Sequence, residues 1–141
     1  MAIIRTAQPT YFAPISFKCL SETGKLDEFK FDVQFKRLKQ TENDALHREN
    51  IESSRSIRDQ IEKDGSIEVI QDQARQTAQD RLRKYVIGWR GVQNIDKSDV
   101  PFSHDALFEL CEEYPGLMNT INEAFAKSVS PEAAAHLATK N

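Results

Sequence analysis

The sequence predicts an α+β fold, mainly helical: an N-terminal antiparallel β-hairpin followed by a bundle of about four to five α-helices. Two runs of apolar–polar alternation near the N-terminus, joined by a short glycine-containing connection, predict the hairpin. From Thr41 onward the apolar spacing lengthens from every second residue to every third or fourth, which predicts helices. With 29 % charged against 39 % hydrophobic residues, one modest core is expected beneath well-solvated helix faces.

The hairpin is expected over residues 14–38, after a loose N-terminus (1–13) punctuated by Pro9 and Pro14. Ile15, Phe17 and Cys19 alternate with Ser16 and Lys18, and Phe29, Phe31, Val33 and Phe35 alternate with Lys30, Asp32, Gln34 and Lys36. Side chains on a strand point to opposite faces with period two, so these apolar groups share one face. Ser21-Glu22-Thr23-Gly24-Lys25 supplies the turn. An isolated hairpin is marginal in water, so its aromatic face must rest on helices or on another subunit.

The helical part is expected over 41–127. Thr41 is placed to cap a first helix that runs to Lys63 and stops at Asp64-Gly65; at 1.5 Å per residue it would be roughly 34 Å long. Its apolar stripe is thin: Leu46, Ile57 and Ile61, with Ile51 elsewhere. A second helix is expected from Ile67 to Ile87, with Ile70, Ala74, Thr77, Ala78, Leu82, Tyr85 and Val86 on one face. Residues 86–102, with Gly88, Gly91 and Pro101, read as a long connection of the kind that carries function. Ser103 caps a third helix (Leu107, Leu110, Cys111, Tyr114), and Pro115 restarts a fourth (Leu117, Ile121, Ala124, Phe125). A frayed C-terminal helix occupies 128–141, and the whole chain, 1–141, reads as a single domain.

Composition excludes several function classes. The net charge of −3, from 19 basic and 22 acidic residues, argues against sequence-independent nucleic-acid binding. Arg75, Arg81, Arg83, Lys84 and Arg90 near Tyr85 read as a solvated helix end favoured by the helix dipole. Cys19 and Cys111 form no disulfide framework, the start lacks a secretory core run, and no stretch is apolar enough to span a membrane. A soluble protein of a reducing cytoplasm is expected. His47, His104 and His136 share no ligand spacing, no H-E-x-x-H or C-x-x-C occurs, and Asp96, Ser98 and Asp99 lack the glycine and terminal glutamate of an EF-hand. No catalytic residue, cofactor, metal or small-molecule substrate is therefore expected, and the chain reads as a protein-binding protein, not an enzyme. Candidate partner-binding residues are Trp89, Phe29, Phe31, Phe35 and Phe102. Trp89 has two readings, a partner anchor and a core plug between the second and third helices. The hairpin aromatics divide in the same way, between a subunit interface and burial against the chain's own helices.

Two stretches carry a resemblance to a known family: FKFDVQFKRLKQTENDAL (29–46) and VIGWRGVQNIDKSDVPFSHDALFELCEEYPGLMNTINEAFA (86–126). A strand ends in a Phe-Lys-Arg-Leu segment before an acidic-capped helix. A Val-x-Gly-Trp segment then precedes an acidic loop, a Pro-Phe-Ser helix start and a proline-punctuated helix. In order and spacing this resembles the tail assembly chaperones of long-tailed bacteriophages. Family members often carry a glycine in the acidic loop; Ile95-Asp96-Lys97-Ser98-Asp99 has none, which leaves the turn type open. The resemblance implies a protein made during phage assembly and absent from the finished tail. Such a protein binds the tape-measure protein, keeps it soluble and helps deliver it to the tail tube protein. A possible homo-oligomer is compatible with this reading. So, from another class, is a structural minor tail or tail-completion protein; a DNA-binding regulator is more remote. The family commonly makes a longer form by ribosomal frameshift. Thr139-Lys140-Asn141 is compatible with an A-AAA-AAC slippage heptamer, an expectation that the gene's codons test directly.

Overall fold

The computed structural model describes residues 9–63 and 67–129. Its elements, in chain order, are β1 (Thr10–Leu20), β2 (Leu26–Lys36), α1 (Gln40–Lys63), α2 (Ile67–Tyr85), β3 (Val86–Arg90), α3 (His104–Glu113) and α4 (Leu117–Ser128). The α+β expectation is met, with a third strand that the periodicity did not reveal. The helix stop at Asp64-Gly65 and the expected C-terminal helix beyond Val129 lie outside the described residues. The chain divides into two compact units: Leu38–Asp80, and Met1–Arg37 together with Arg81–Asn141.

The larger unit is built on a three-stranded antiparallel sheet in the order β1-β2-β3. β1 begins at Thr10 rather than at 14, because the alternation extends back through Tyr11 and Ala13. Its register pairs Tyr11 with Phe35, Ala13 with Val33, Ile15 with Phe31 and Phe17 with Phe29, so one face carries all the large inward groups. Pro14 is tolerated because β1 lies at the sheet's edge. The turn closes through Gly24 N–H to Ser21 O at 3.0 Å and Ser21 N–H to Lys25 O at 2.8 Å, with Gly24 at φ +81° as that geometry requires.

β3 replaces the expected end of the second helix and the start of the long connection. α2 stops at Tyr85, and Val86–Arg90 pairs with Asp32–Phe35 of β2. The pairing jumps from Gln34–Gly88 to Phe35–Val86, leaving Ile87 as an extra residue in a bulge. The bulge has a packing consequence. Strict alternation from Trp89 would turn Val86 away from the core; the extra residue turns it inward, where it is fully buried, and leaves Ile87 outside. On the outer face Gly88 lies beneath the Gln34 side chain, whose Nε2 donates to Thr10 Oγ1 at 2.9 Å.

α3, α4 and the last turn of α2 cover the inner face of the sheet. Phe35 meets Phe125 at 5.1 Å between ring centroids and Tyr11 at 5.9 Å, and Phe125 stacks on Tyr85 at 4.9 Å. The Tyr11 and Ser128 hydroxyls bond at 2.6 Å, fastening the end of α4 to β1. The core is completed by Ile15, Val33, Leu82, Leu107, Leu117 and Ile121. Ser103 caps α3 as expected, its Oγ accepting from Ala106 N–H at 3.0 Å. α4 starts later than Pro115: Gly116, at φ +92°, is its N-cap residue and approaches Phe17.

The smaller unit contains α1 and α2 up to Asp80. α1 is not capped by Thr41. Glu42 reaches back to accept from Lys39 N–H at 3.3 Å, the backward half of a capping box. Leu46 is the buried residue of α1, whereas Ile51, Ile61, Ile67 and Val69 are exposed. Gln73 Nε2 donates to Ser56 Oγ at 3.5 Å, and the buried Oε1 atoms of Gln60 and Gln73 have no hydrogen-bond partner. A polar packing of this kind contributes little stability.

The sheet's two ends should therefore respond differently to truncation. Phe35→Ala should cost about 3–5 kcal/mol, and Phe29→Ala, at a half-exposed site, less than half of that, as read from urea unfolding midpoints.

Candidate protein-binding face

The five aromatic candidates fall into three environments. Phe35 is fully buried in the core and offers no surface in this fold. Trp89 and Phe102 pack edge to face at 5.2 Å, and Phe102 meets the His104 ring at 5.4 Å. Trp89 is not a plug between two helices: it stands on β3, opposite Val33, and its Nε1–H donates to Val100 O at 2.8 Å. His104 Nε2 bonds to Val86 O at 2.9 Å, so this cluster ties the chain after β3 back to the sheet. Phe29 and Phe31 lie towards the hairpin tip, where Phe29 is 43 % exposed.

Near that tip the inner face is only partly covered. β3 pairs no further along β2 than Asp32, so the sheet is two-stranded beyond it. Tyr114, at the end of α3, reaches across to Phe17 at 6.0 Å and Phe29 at 5.7 Å. Between them lies a groove of about 330 Å³, lined mainly by Phe17, Phe29, Phe31, Leu110, Tyr114 and Leu117, with Lys30 and Gly91–Asn94 at its margin. Its floor is aromatic and aliphatic.

The segment after Gly91 is ordered by its own hydrogen bonds. Val100 N–H reaches Val92 O at 2.9 Å, Gln93 bridges to Asp99, and Asn94 N–H reaches Ser98 O at 2.9 Å. The left-handed position that a glycine would fill is taken by Lys97, at φ +69°. Asp96 compensates: Ser98 donates to its Oδ1 from both the hydroxyl and the backbone N–H, the latter at 2.9 Å. These bonds hold the Asp96 carboxyl below its ordinary value. Ile95, fully exposed, stands at the tip of this turn.

The remaining chemistry-bearing groups serve packing. Burial pushes the Cys111 thiol up to about 11, which suits a small hydrophobe rather than a nucleophile. Arg83 lies 4.7 Å over Phe108; Arg90 lies 4.0 Å over Phe12 and donates to Asp32 at 2.8 Å; and the Tyr85 ring is stacked on Phe125. Among the described residues no group of three or more His, Cys, Asp or Glu side chains is placed to hold a metal ion, and no helix is long and apolar enough to cross a membrane.

Against this geometry, a family model described as phage tail assembly chaperone matches residues 1–134. The chain belongs to that family. No curated protein and no solved structure matches it. The chaperone's partly covered apolar face includes Phe29 and Phe31 from the expected set, and it adds Phe17, Leu110, Tyr114 and Leu117. Each of the four was visible in sequence as an apolar position on a strand or helix. What was missing was the knowledge that they meet where the sheet loses its third strand. Ile95 gave no periodic signal at all.

Two measurements probe the turn. Ile95→Ser should leave the melting temperature unchanged, since the side chain touches solvent only. The Asp96 carboxyl is depressed only in the folded turn, so its contribution is complete above the ordinary value of 3.8 and lost as pH falls through the lower folded value. The Ser98 amide resonance should accordingly move on acidification below 3.8, and Asp96→Ala should abolish that titration.

Proposed function

We propose that this tail assembly chaperone binds the tape-measure protein before the tube encloses it, keeps it soluble, and helps recruit the tail tube protein. It acts in the host cytoplasm, is absent from the mature virion, and makes and breaks no covalent bond. The family match over residues 1–134 carries the reading. Two features of the fold support it. The inner face of the hairpin tip and the exposed isoleucines of α1 and α2 leave apolar surface free for a client. The surrounding charge, 29 % of all residues, keeps the carrier itself soluble. Several small carriers along one long client gain avidity from modest single contacts and can still let go.

Co-expression tests this. The tape-measure protein of the same phage should move from the insoluble to the soluble fraction when this chain is present, and the two should co-purify. Mass spectrometry of purified particles should find no copies of the chain. Stoichiometric copies in the virion would instead make it a structural tail component.

A further inference from the structure

We propose that the groove at the hairpin tip receives the apolar side chains of a basic amphipathic helix in the client. The inference rests on the chaperone reading and specifies the chemistry of the partner.

Three observations lead to it. The first is the size and lining of the groove. At about 330 Å³ it lies at the small end of ligand-sized cavities, room for about two bulky side chains rather than a whole helix. Its floor offers Phe17, Phe29, Phe31, Leu110, Tyr114 and Leu117, which favours an apolar occupant, with Lys30, Gln93 and Asn94 adding polar groups to the lining.

The second is the charge around it. Leu110 and Tyr114 stand on and just after α3, which carries Asp105, Glu109, Glu112 and Glu113 and has no basic residue in its last turn. The C-terminal end of a helix is itself the negative pole of its dipole, and α3 has no basic residue in its own last turn to offset it. Glu112 and Glu113 are exposed immediately beside Tyr114. The turn that follows the groove margin adds Asp96 and Asp99 against Lys97 alone. From Arg90 to Lys127 the chain has Asp96, Asp99, Asp105, Glu109, Glu112, Glu113 and Glu123 against Arg90, Lys97 and Lys127. Lys30, the basic residue in the groove lining, lies 3.9 Å from Glu28. Among the described residues Lys30 is the one charged residue of the lining itself, and the acidic groups lie along its α3 side and that of Asp96 and Asp99. An apolar slot bordered by acid on that side favours a ligand whose apolar face is flanked there by Lys and Arg and repels one flanked by Glu and Asp.

The third is Ile95. Its turn is built from the chain that lines the groove margin, and it presents an apolar side chain wholly to solvent. It offers the same partner a second apolar contact.

The test uses the full chain and two synthetic helical peptides of about 20 residues that share one leucine- and phenylalanine-bearing face. One carries Lys and Arg on its flanks, the other Glu. Titration should show the basic peptide binding about tenfold or more tighter, with that preference shrinking as salt is raised from about 50 to 300 mM. Amide shifts should centre on Phe29, Phe31, Gly91–Asn94 and Tyr114. Glu112→Lys with Glu113→Lys, both exposed and so expected to fold, should erase the preference. Tyr114→Ala should weaken the basic peptide about fivefold or more with the melting temperature recorded alongside. Equal affinity for the two peptides, a preference that survives the double charge reversal, or shifts on the opposite face of the sheet would each overturn the proposal. So would a stable dimer of this chain that fills the groove. Retention of the co-expressed tape-measure protein separates the two readings. If the charge-reversed and Tyr114→Ala forms hold it as well as the natural chain does, the groove is not the client site and the chaperone reading stands. If the natural chain itself does not hold it, both fall.

Discussion

The structure turns on an inequality in the pairing of its central strand. β2 runs from Leu26 to Lys36 and pairs along its whole length with β1, but β3 pairs only from Asp32 to Phe35. Where all three strands are present, the inner face is wide enough for α4 and the end of α2 to close over it, and Val33 and Phe35 lose all contact with water. Where only two are present, the same alternation continues through Phe31 and Phe29 without enough helix to cover it. One strand therefore anchors the core at one end and exposes apolar surface at the other. The groove follows from where β3 stops, and needs no departure from ordinary packing.

Why β3 stops there is also physical. Gly91, at φ +84°, a backbone conformation that side-chain-bearing residues rarely adopt, turns the chain out of the sheet beside Phe31. The chain then spends Val92–Val100 on a self-contained turn and is pulled back by the Trp89–Val100 hydrogen bond and the packing of Trp89 on Phe102. Trp89 thus serves the site indirectly: it fixes the entry to α3, and α3 places Leu110 and Tyr114 over the hairpin. Of the acidic residues of α3 only Asp105 stands in the first turn, where the helix dipole favours a carboxylate; Glu109, Glu112 and Glu113 lie further along and none of the four is buried. Their clustering beside an apolar slot is what the proposed recognition of a basic partner would use.

Much of this was legible in the amino-acid sequence, and the failures have definite causes. The hairpin was readable because Phe29, Phe31, Val33 and Phe35 alternate without interruption. α3 was readable because Ser103 is a strong cap before a regular apolar stripe. β3 was not, because its bulge at Ile87 breaks period two within five residues and because its partner lies about fifty residues away in the chain, beyond the reach of local pattern. The same gap hid the groove. Phe17, Phe29 and Tyr114 are each ordinary apolar positions, and only tertiary structure brings them together. Phe35 and Phe29 look equivalent in sequence, yet one is core and the other surface, because alternation reports which face a residue takes and not how far the cover extends. The start of α1 was misplaced by two residues, from Thr41 to Lys39, because a Glu at the third helical position can satisfy the cap's backbone N–H from within the first turn and Thr41 is then already inside the helix.

The size of the groove limits what one copy can do as a carrier. Burying a large apolar side chain is worth about 1.5–3 kcal/mol, so two of them supply roughly 3–6 kcal/mol before any cost of association. Immobilising the partner removes at least about 4 kcal/mol of that. A single site with this geometry therefore holds its ligand weakly, and charge complementarity raises the rate of encounter more than the depth of binding. For the proposed role, in which the chain occupies a client during assembly and then leaves, weak sites are the useful kind. On the proposed reading, occupancy would come from many copies acting along one client, and release would need only that each weak contact be lost in turn. A deeper pocket, made by extending β3 along the rest of β2, would close over Phe29 and Phe31 and stabilise the fold, but it would remove the surface on which the proposed carrier role depends.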